Sequence, residues 1–204
     1  MDKKRNRAPM NEPPDGQPNA FKFKEPEAVA AGVYATAMVV SHTREEFFLD
    51  FIATYATPSR LASRVILSPA HTKRLLKTLR NNIDHYSKNF GPLPEPPTDL
   101  PKVGAVQAQG LYAQLATPDP VLGGNYANNV MIRHTREEFI LDFLVICHPS
   151  PVLTARVLVN PAHIQRIANV LKTQVQAYET SFGSLKELPP PPEPPERWQR
   201  FSLS

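Results

Sequence analysis

Apolar positions along this chain follow two spacings, and each spacing appears twice. Leu75, Leu76, Leu79, Ile83, Tyr86 and Phe90 recur at intervals of three and four, which lines one face of an α-helix. Ser68-Pro69 stands just ahead of them. Serine is a good N-cap, and proline suits the first helical position, where its missing N–H has no intrahelical partner to lose. Gly91 follows where a left-handed cap belongs. Together these signals predict a helix from Pro69 to Phe90. The same grammar returns in Asn160-Pro161, then Ile167, Ala168, Leu171, Val175, Tyr178 and Phe182, then Gly183. Upstream the spacing shortens to two. Phe47, Leu49 and Phe51 share one face of an extended chain, and Phe48 and Ile52 the other. Short apolar runs at 33–40, 46–55 and 62–67, separated by polar or proline-containing turns, predict three antiparallel strands.

The doubling is a true internal repeat. His42-Thr43-Arg44-Glu45-Glu46-Phe47 returns as His134-Thr135-Arg136-Glu137-Glu138-Phe139, and residues 32–91 align with 124–183 without a gap, 23 of the 60 pairs being identical. An ungapped repeat of this length is one supersecondary unit whose core admits no change of length. The predicted fold is α+β: two β-β-β-α repeats, at 32–91 and 124–183. Around them lie a disordered Pro-rich arm at 1–31, a Pro-rich linker at 92–123 and a polyproline tail at 184–204. Units of about 60 residues stand near the lower size limit for folding alone, and one helix covers only one face of a sheet. The second face, bearing Phe48, Ile52, Ile140 and Leu144, therefore needs a partner. Packing of the two repeats as an intramolecular pseudodimer, sheets together and helices outside, supplies one. A homodimer through the same face is the alternative.

Asp50 and Asp142 interrupt that second face, and a buried carboxylate must be paired. Arg64 and Arg156 on the neighbouring strand are the expected partners in a structural ion pair. The remaining polar twins point away from catalysis. Ser41 has Arg133 as its twin and Ser68 has Asn160; asparagine replaces serine as an N-cap but not as a nucleophile. His42, His71, His134 and His163 sit at a turn or a helix start, and none has zinc-site spacing. Glu45 and Glu46 are adjacent on an extended chain and so point to opposite faces. No catalytic residue, cofactor or metal is predicted.

Charge changes the picture at one place. The net formal charge is +4, and repeat 1 carries the excess, with Lys73, Arg74, Lys77 and Arg80 on its helix. Such a face can meet phosphates or an acidic protein. The twins of Lys73 and Lys77 are Gln165 and Asn169, so only one helix offers it. A single cysteine, Cys147, excludes a disulfide framework. The chain has 23 prolines, most of them outside the repeats, and the run Pro189 to Pro195 predicts a polyproline II tail able to dock in an aromatic groove. No apolar run approaches membrane-spanning length, and no signal-peptide core follows the charged start. A cytoplasmic location is the expectation.

Glu46-Phe47-x-Leu49-Asp50-Phe51, then Arg64-Val65-Ile66-x-Ser68-Pro69-x-His71-x-Lys73-Arg74-Leu75-Leu76, then Tyr86 to Phe90-Gly91, resembles a family of small bacterial and archaeal proteins grouped as a domain of unknown function. The resemblance covers both repeats; repeat 2 departs from it at Gln165 and Ile167. It implies a compact cytosolic α+β unit and no activity. The sequence thus predicts a non-enzymatic protein-binding or scaffold protein, its partner unidentified. The alternative is a nucleic-acid-associated regulatory protein that uses the basic helix of repeat 1, with weak binding expected.

Overall fold

The computed structural model describes residues 22–96, 110, 112–147 and 149–189. The described residues form, in chain order, α1 (Glu27–Ala30), β1 (Val33–Ala35), β2 (Ala37–His42), β3 (Phe47–Ala53), β4 (Arg60–Leu67), α2 (Pro69–Phe90), α3 (Asp119–Leu122), β5 (Asn125–Tyr126), β6 (Asn129–His134), β7 (Phe139–Val145), β8 (Val152–Val159) and α4 (Pro161–Phe182). The fold is mixed α+β, with two four-stranded sheets each followed by a helix. Both helices start as their caps dictate. The Ser68 hydroxyl accepts from the His71 N–H and the Asn160 side chain from the Ala162 N–H.

The predicted first strand is in fact two. The chain breaks at Thr36, whose amide and hydroxyl both donate to the Ile52 carbonyl. The piece before the break leaves its own repeat: β1 pairs in parallel with β8, and its twin β5 pairs in parallel with β4. The sheet orders are β1-β8-β7-β6 and β2-β3-β4-β5. Each repeat therefore lends its leading strand to the other's sheet.

The segments ahead of those strands travel with them. Residues 22–31 and 112–123, assigned to a disordered arm and a linker, carry α1 and α3. Lys24 exchanges backbone hydrogen bonds with Pro151 and Leu153, and Ala116 does so with Ser59 and Leu61. Prolines do not prevent this, because Pro26 and Pro118 sit at the N-caps of the two short helices, outside any ladder. The polyproline run beyond Pro189 lies outside the described residues.

The shared core corrects a second expectation. Phe47, Leu49 and Phe51 join Phe139, Leu141 and Phe143 in one buried cluster with both long helices, and the Phe51 and Phe143 rings meet at 5.7 Å. The repeats thus merge through the opposite sheet face from the one proposed. The helices are not outside this junction. They lie against each other, α4 on β2 and α2 on β6. Phe48 and Ile140 are only half-buried, while Ile52 and Leu144 are buried apart from the main cluster. The reason is steric: the crossing segments already occupy the face bearing Asp50 and Asp142, so only the Phe47 and Phe139 face is left to merge.

Candidate functional site

The histidine turns are docking points between the repeats. The Thr43 hydroxyl accepts from the Glu45 and Glu46 amides, closing the turn, and Thr135 does the same for Glu137 and Glu138. This leaves the Arg44 and Arg136 carbonyls facing the other repeat's helix. Tyr178 donates its hydroxyl to the Arg44 carbonyl at 2.8 Å, and Tyr86 to that of Arg136 at 2.9 Å. The His42 ring packs against Phe47, Tyr178 and Phe182, as His134 does against Phe139, Tyr86 and Phe90. Most of the identical stretch shared by the two copies is thus consumed in joining them. His134 Nδ1 lies 3.3 Å from Asn82 Oδ1, whereas the buried His42 Nδ1 has no hydrogen-bond partner among the described residues.

The Asp–Arg pairs clasp the crossing segments. Asp50 and Arg64 are cross-strand neighbours, joined by two hydrogen bonds of 2.7 and 2.8 Å, and Arg64 Nη1 donates to the Leu122 carbonyl at the end of α3. In repeat 2, Arg156 holds Asp142 at 2.6 and 3.1 Å and donates to the Ala30 carbonyl at the end of α1. Gly32 and Gly124 then turn the chain at φ of +71° and +70°, pressed onto the Arg156 and Arg64 stems; a Cβ at either would lie 2.8 Å from the arginine Cγ. Only glycine combines that φ with that approach.

The two clasps differ in their third member. Tyr112 donates its hydroxyl to Asp50, whereas Asp142 receives Arg133 at 2.7 Å and Arg156 also meets Glu25. This accounts for the mismatch of Ser41 with Arg133. Hydrogen bonding to Asp50 and Asp142 holds both clasp guanidiniums above their ordinary pKa. Burial, then the bond to Asp50, pushes Tyr112 up to about 12. Every polar atom named here is satisfied within the clasp, so the geometry is that of a fastening.

The four cations of the repeat 1 helix meet a different environment. Lys73 pairs with Glu179 on α4 at 2.8 Å and donates to the Leu185 carbonyl at 2.7 Å. Lys77 pairs with Glu187 at 2.8 Å, and Arg74 donates to the Pro189 carbonyl. Residues 184–189 therefore lie on the helix face that the sequence offered to an anionic partner. Arg80 is exposed and makes no ion pair among the described residues. Between α2 and α4 runs an open groove of about 360 Å³, its lining including Leu76 and Val175 below and Lys73, Lys77, Arg80 and Lys172 around. Sequence reasoning missed Glu179 and Glu187, and gave Lys172, the twin of Arg80, a lesser part than the repeat 1 cations.

Among the described residues no group of three or more His, Cys, Asp or Glu is placed to hold a metal ion, and no helix is long and apolar enough to cross a membrane. The exchanged sheets, paired helices and mirrored clasps define a tandem-repeat α+β protein. The chain belongs to the family described as "Protein of unknown function (DUF3467)", which matches at residues 1–95 and again at 101–187. Both matches begin ahead of the crossing segments, which are thus part of the repeating unit. No curated protein and no solved structure matches the chain.

Proposed function

We propose that this is a non-enzymatic protein-binding or scaffold protein whose recognition surface is the face where α2 and α4 run side by side. The observation that carries the reading is the placement of residues 184–189. A non-helical piece of polypeptide already rests on this face, held by Lys73, Arg74 and Lys77 through one carboxylate and two carbonyls. A surface that takes its own chain in this way has the donors for another protein's segment. The nucleic-acid reading would use the same four cations, three of which here hold protein oxygens.

The test compares proteins captured from a nuclease-treated native lysate by the wild type, by a Lys77→Glu/Arg80→Glu variant and, as a control, by Lys88→Glu, an exposed α2 lysine outside the groove lining. Proteins lost with the double variant and retained by the control are the expected result. Identical capture by all three refutes the reading. Tight duplex binding at physiological salt, lost in the double variant, favours the nucleic-acid alternative instead.

A further inference from the structure

We propose that Lys186–Pro189 is a displaceable occupant of this groove, and that the external ligand is an extended acidic stretch of a partner protein which takes its place. The inference rests on the protein-binding reading above and adds the chemistry of the partner and the means of control.

Charge balance comes first. The groove lining contains four cations, Lys73, Lys77, Arg80 and Lys172, against the carboxylates Glu179 and Glu187. Glu187 belongs to the occupying segment itself, so lifting that segment away leaves four cations facing one carboxylate. Arg80 and Lys172 hold the same position in the two repeats, and the pairing of α2 with α4 brings both to one groove. Like charges brought together favour an anionic ligand. Leu76 and Val175 are buried beneath them, which gives the floor an apolar strip for the side chains between acidic residues.

The attachment of the segment is graded. Leu185 packs against the core, and its amide donates to Glu179 at 3.0 Å; this end is anchored. Beyond it, the Lys77–Glu187 pair is more than half exposed on both sides, and a pair that exposed contributes little to stability. Glu187 is held below the usual carboxylate range chiefly by its bond to Lys77, so it remains ionised and competes as an anion. The chain thus carries a weak intramolecular ligand on a firm hinge, a device that admits only partners of higher local acidity. In the twin segment after α2, Leu93 packs against the core as Leu185 does, but Gln165 and Asn169 stand where two lysines would be needed to hold it.

The experiment measures anisotropy of a fluorescein-labelled hexaglutamate peptide with the full chain. Glu187→Gln removes the competing charge at an exposed position without disturbing the core, and is expected to tighten binding about two- to fivefold. Arg80→Gln/Lys172→Gln is expected to weaken it about five- to tenfold, and Lys88→Gln to leave it unchanged. If the double variant loses binding but Glu187→Gln equals the wild type, displacement is overturned while the groove remains an acidic-peptide site. Absence of peptide binding by all proteins overturns the acidic partner, and the lysate capture then judges the protein-binding reading separately. Displacement of the peptide by single-stranded DNA at far lower concentration than by unlabelled hexaglutamate overturns the assignment in favour of nucleic acid.

Discussion

Replacing Arg156 with methionine keeps the length of the stem that supports Gly32 and removes the guanidinium. Asp142 is fully buried and Arg156 is only 13% exposed, so the substitution strands a buried carboxylate. Breaking a buried pair from one side costs about 3–5 kcal/mol. The lower end applies because Arg133 still reaches Asp142. For a chain of this size about 3 kcal/mol lowers Tm by about 6–12 °C. Arg133 offers the internal contrast. It binds the same carboxylate, yet it is 55% exposed, and Arg133→Met should cost less than about 1 kcal/mol. Pairing Arg156→Met with Asp142→Leu removes both charges and should restore most of the loss, since a buried ion pair is often no better than an apolar replacement. Urea unfolding followed by circular dichroism, analysed as a double-mutant cycle, measures all three. Equal losses for the two arginines, or no coupling between Arg156 and Asp142, would refute the clasp.

Three further outcomes follow from the same contacts. Tyr86→Phe and Tyr178→Phe each remove one hydrogen bond between repeats, and urea midpoints should report losses of about 0.5–1.5 kcal/mol apiece; a loss in neither would count against docking at the histidine turns. Gly32→Ala places a Cβ 2.5 Å from Leu158 Cδ1 at a φ of +71°, so thermal unfolding should show about 2–5 kcal/mol of destabilisation from strain and overpacking together; wild-type stability would be the contrary result. Burial first, then the nearby Arg74, His85 and Arg166 respectively, lower the pKa values of His71, His134 and His163 below their ordinary 6.5. The unfolded chain takes up protons before the folded one, so this stability is complete above about pH 6.5 and is lost as pH falls through the lower folded values. Tm should drop between pH 7.5 and 5.5, and a flat profile would contradict it.

Local rules made α2 and α4 legible, because cap, proline, apolar stripe and terminal glycine all act within a few residues of each other. The strands β2 to β4 and β6 to β8 were legible for the same reason. The exchange was not. Alternation runs on through Thr36, and nothing near Val33 shows that its strand partner is Val157 in the other repeat. Asp50 with Arg64 could be paired from sequence because a hairpin brings them together, whereas the bond of Arg64 to the Leu122 carbonyl could not. The proline content of 22–31 and 112–123 suggested disorder, although Pro26 and Pro118 stand in the same register as Gly32 and Gly124. Carrying the repeat comparison six residues further outward would have exposed both short helices. At the helix groove, Lys73 and Lys77 stood out as charges, but their engagement by Glu179 and Glu187 depends on how α4 and the residues after it return across α2.

Exchange of leading segments has a consequence for the order in which the chain can be finished. Arg64 waits 58 residues for the Leu122 carbonyl, whereas Ala30 precedes its clasp at Arg156 by 126 residues. At ribosomal rates of about 5–20 residues per second, the first crossing segment spends about 6–25 s with no sheet to join. During that interval β5 becomes available to β4, but β1 still lacks its partner strand β8, and neighbouring ribosomes on one message carry copies at earlier and later stages. A β8 from a chain further along offers β1 the same parallel register as its own. Assembly in the intended chain therefore depends on proximity outpacing encounter, and raising translation density along the message should increase the share of interlinked dimers.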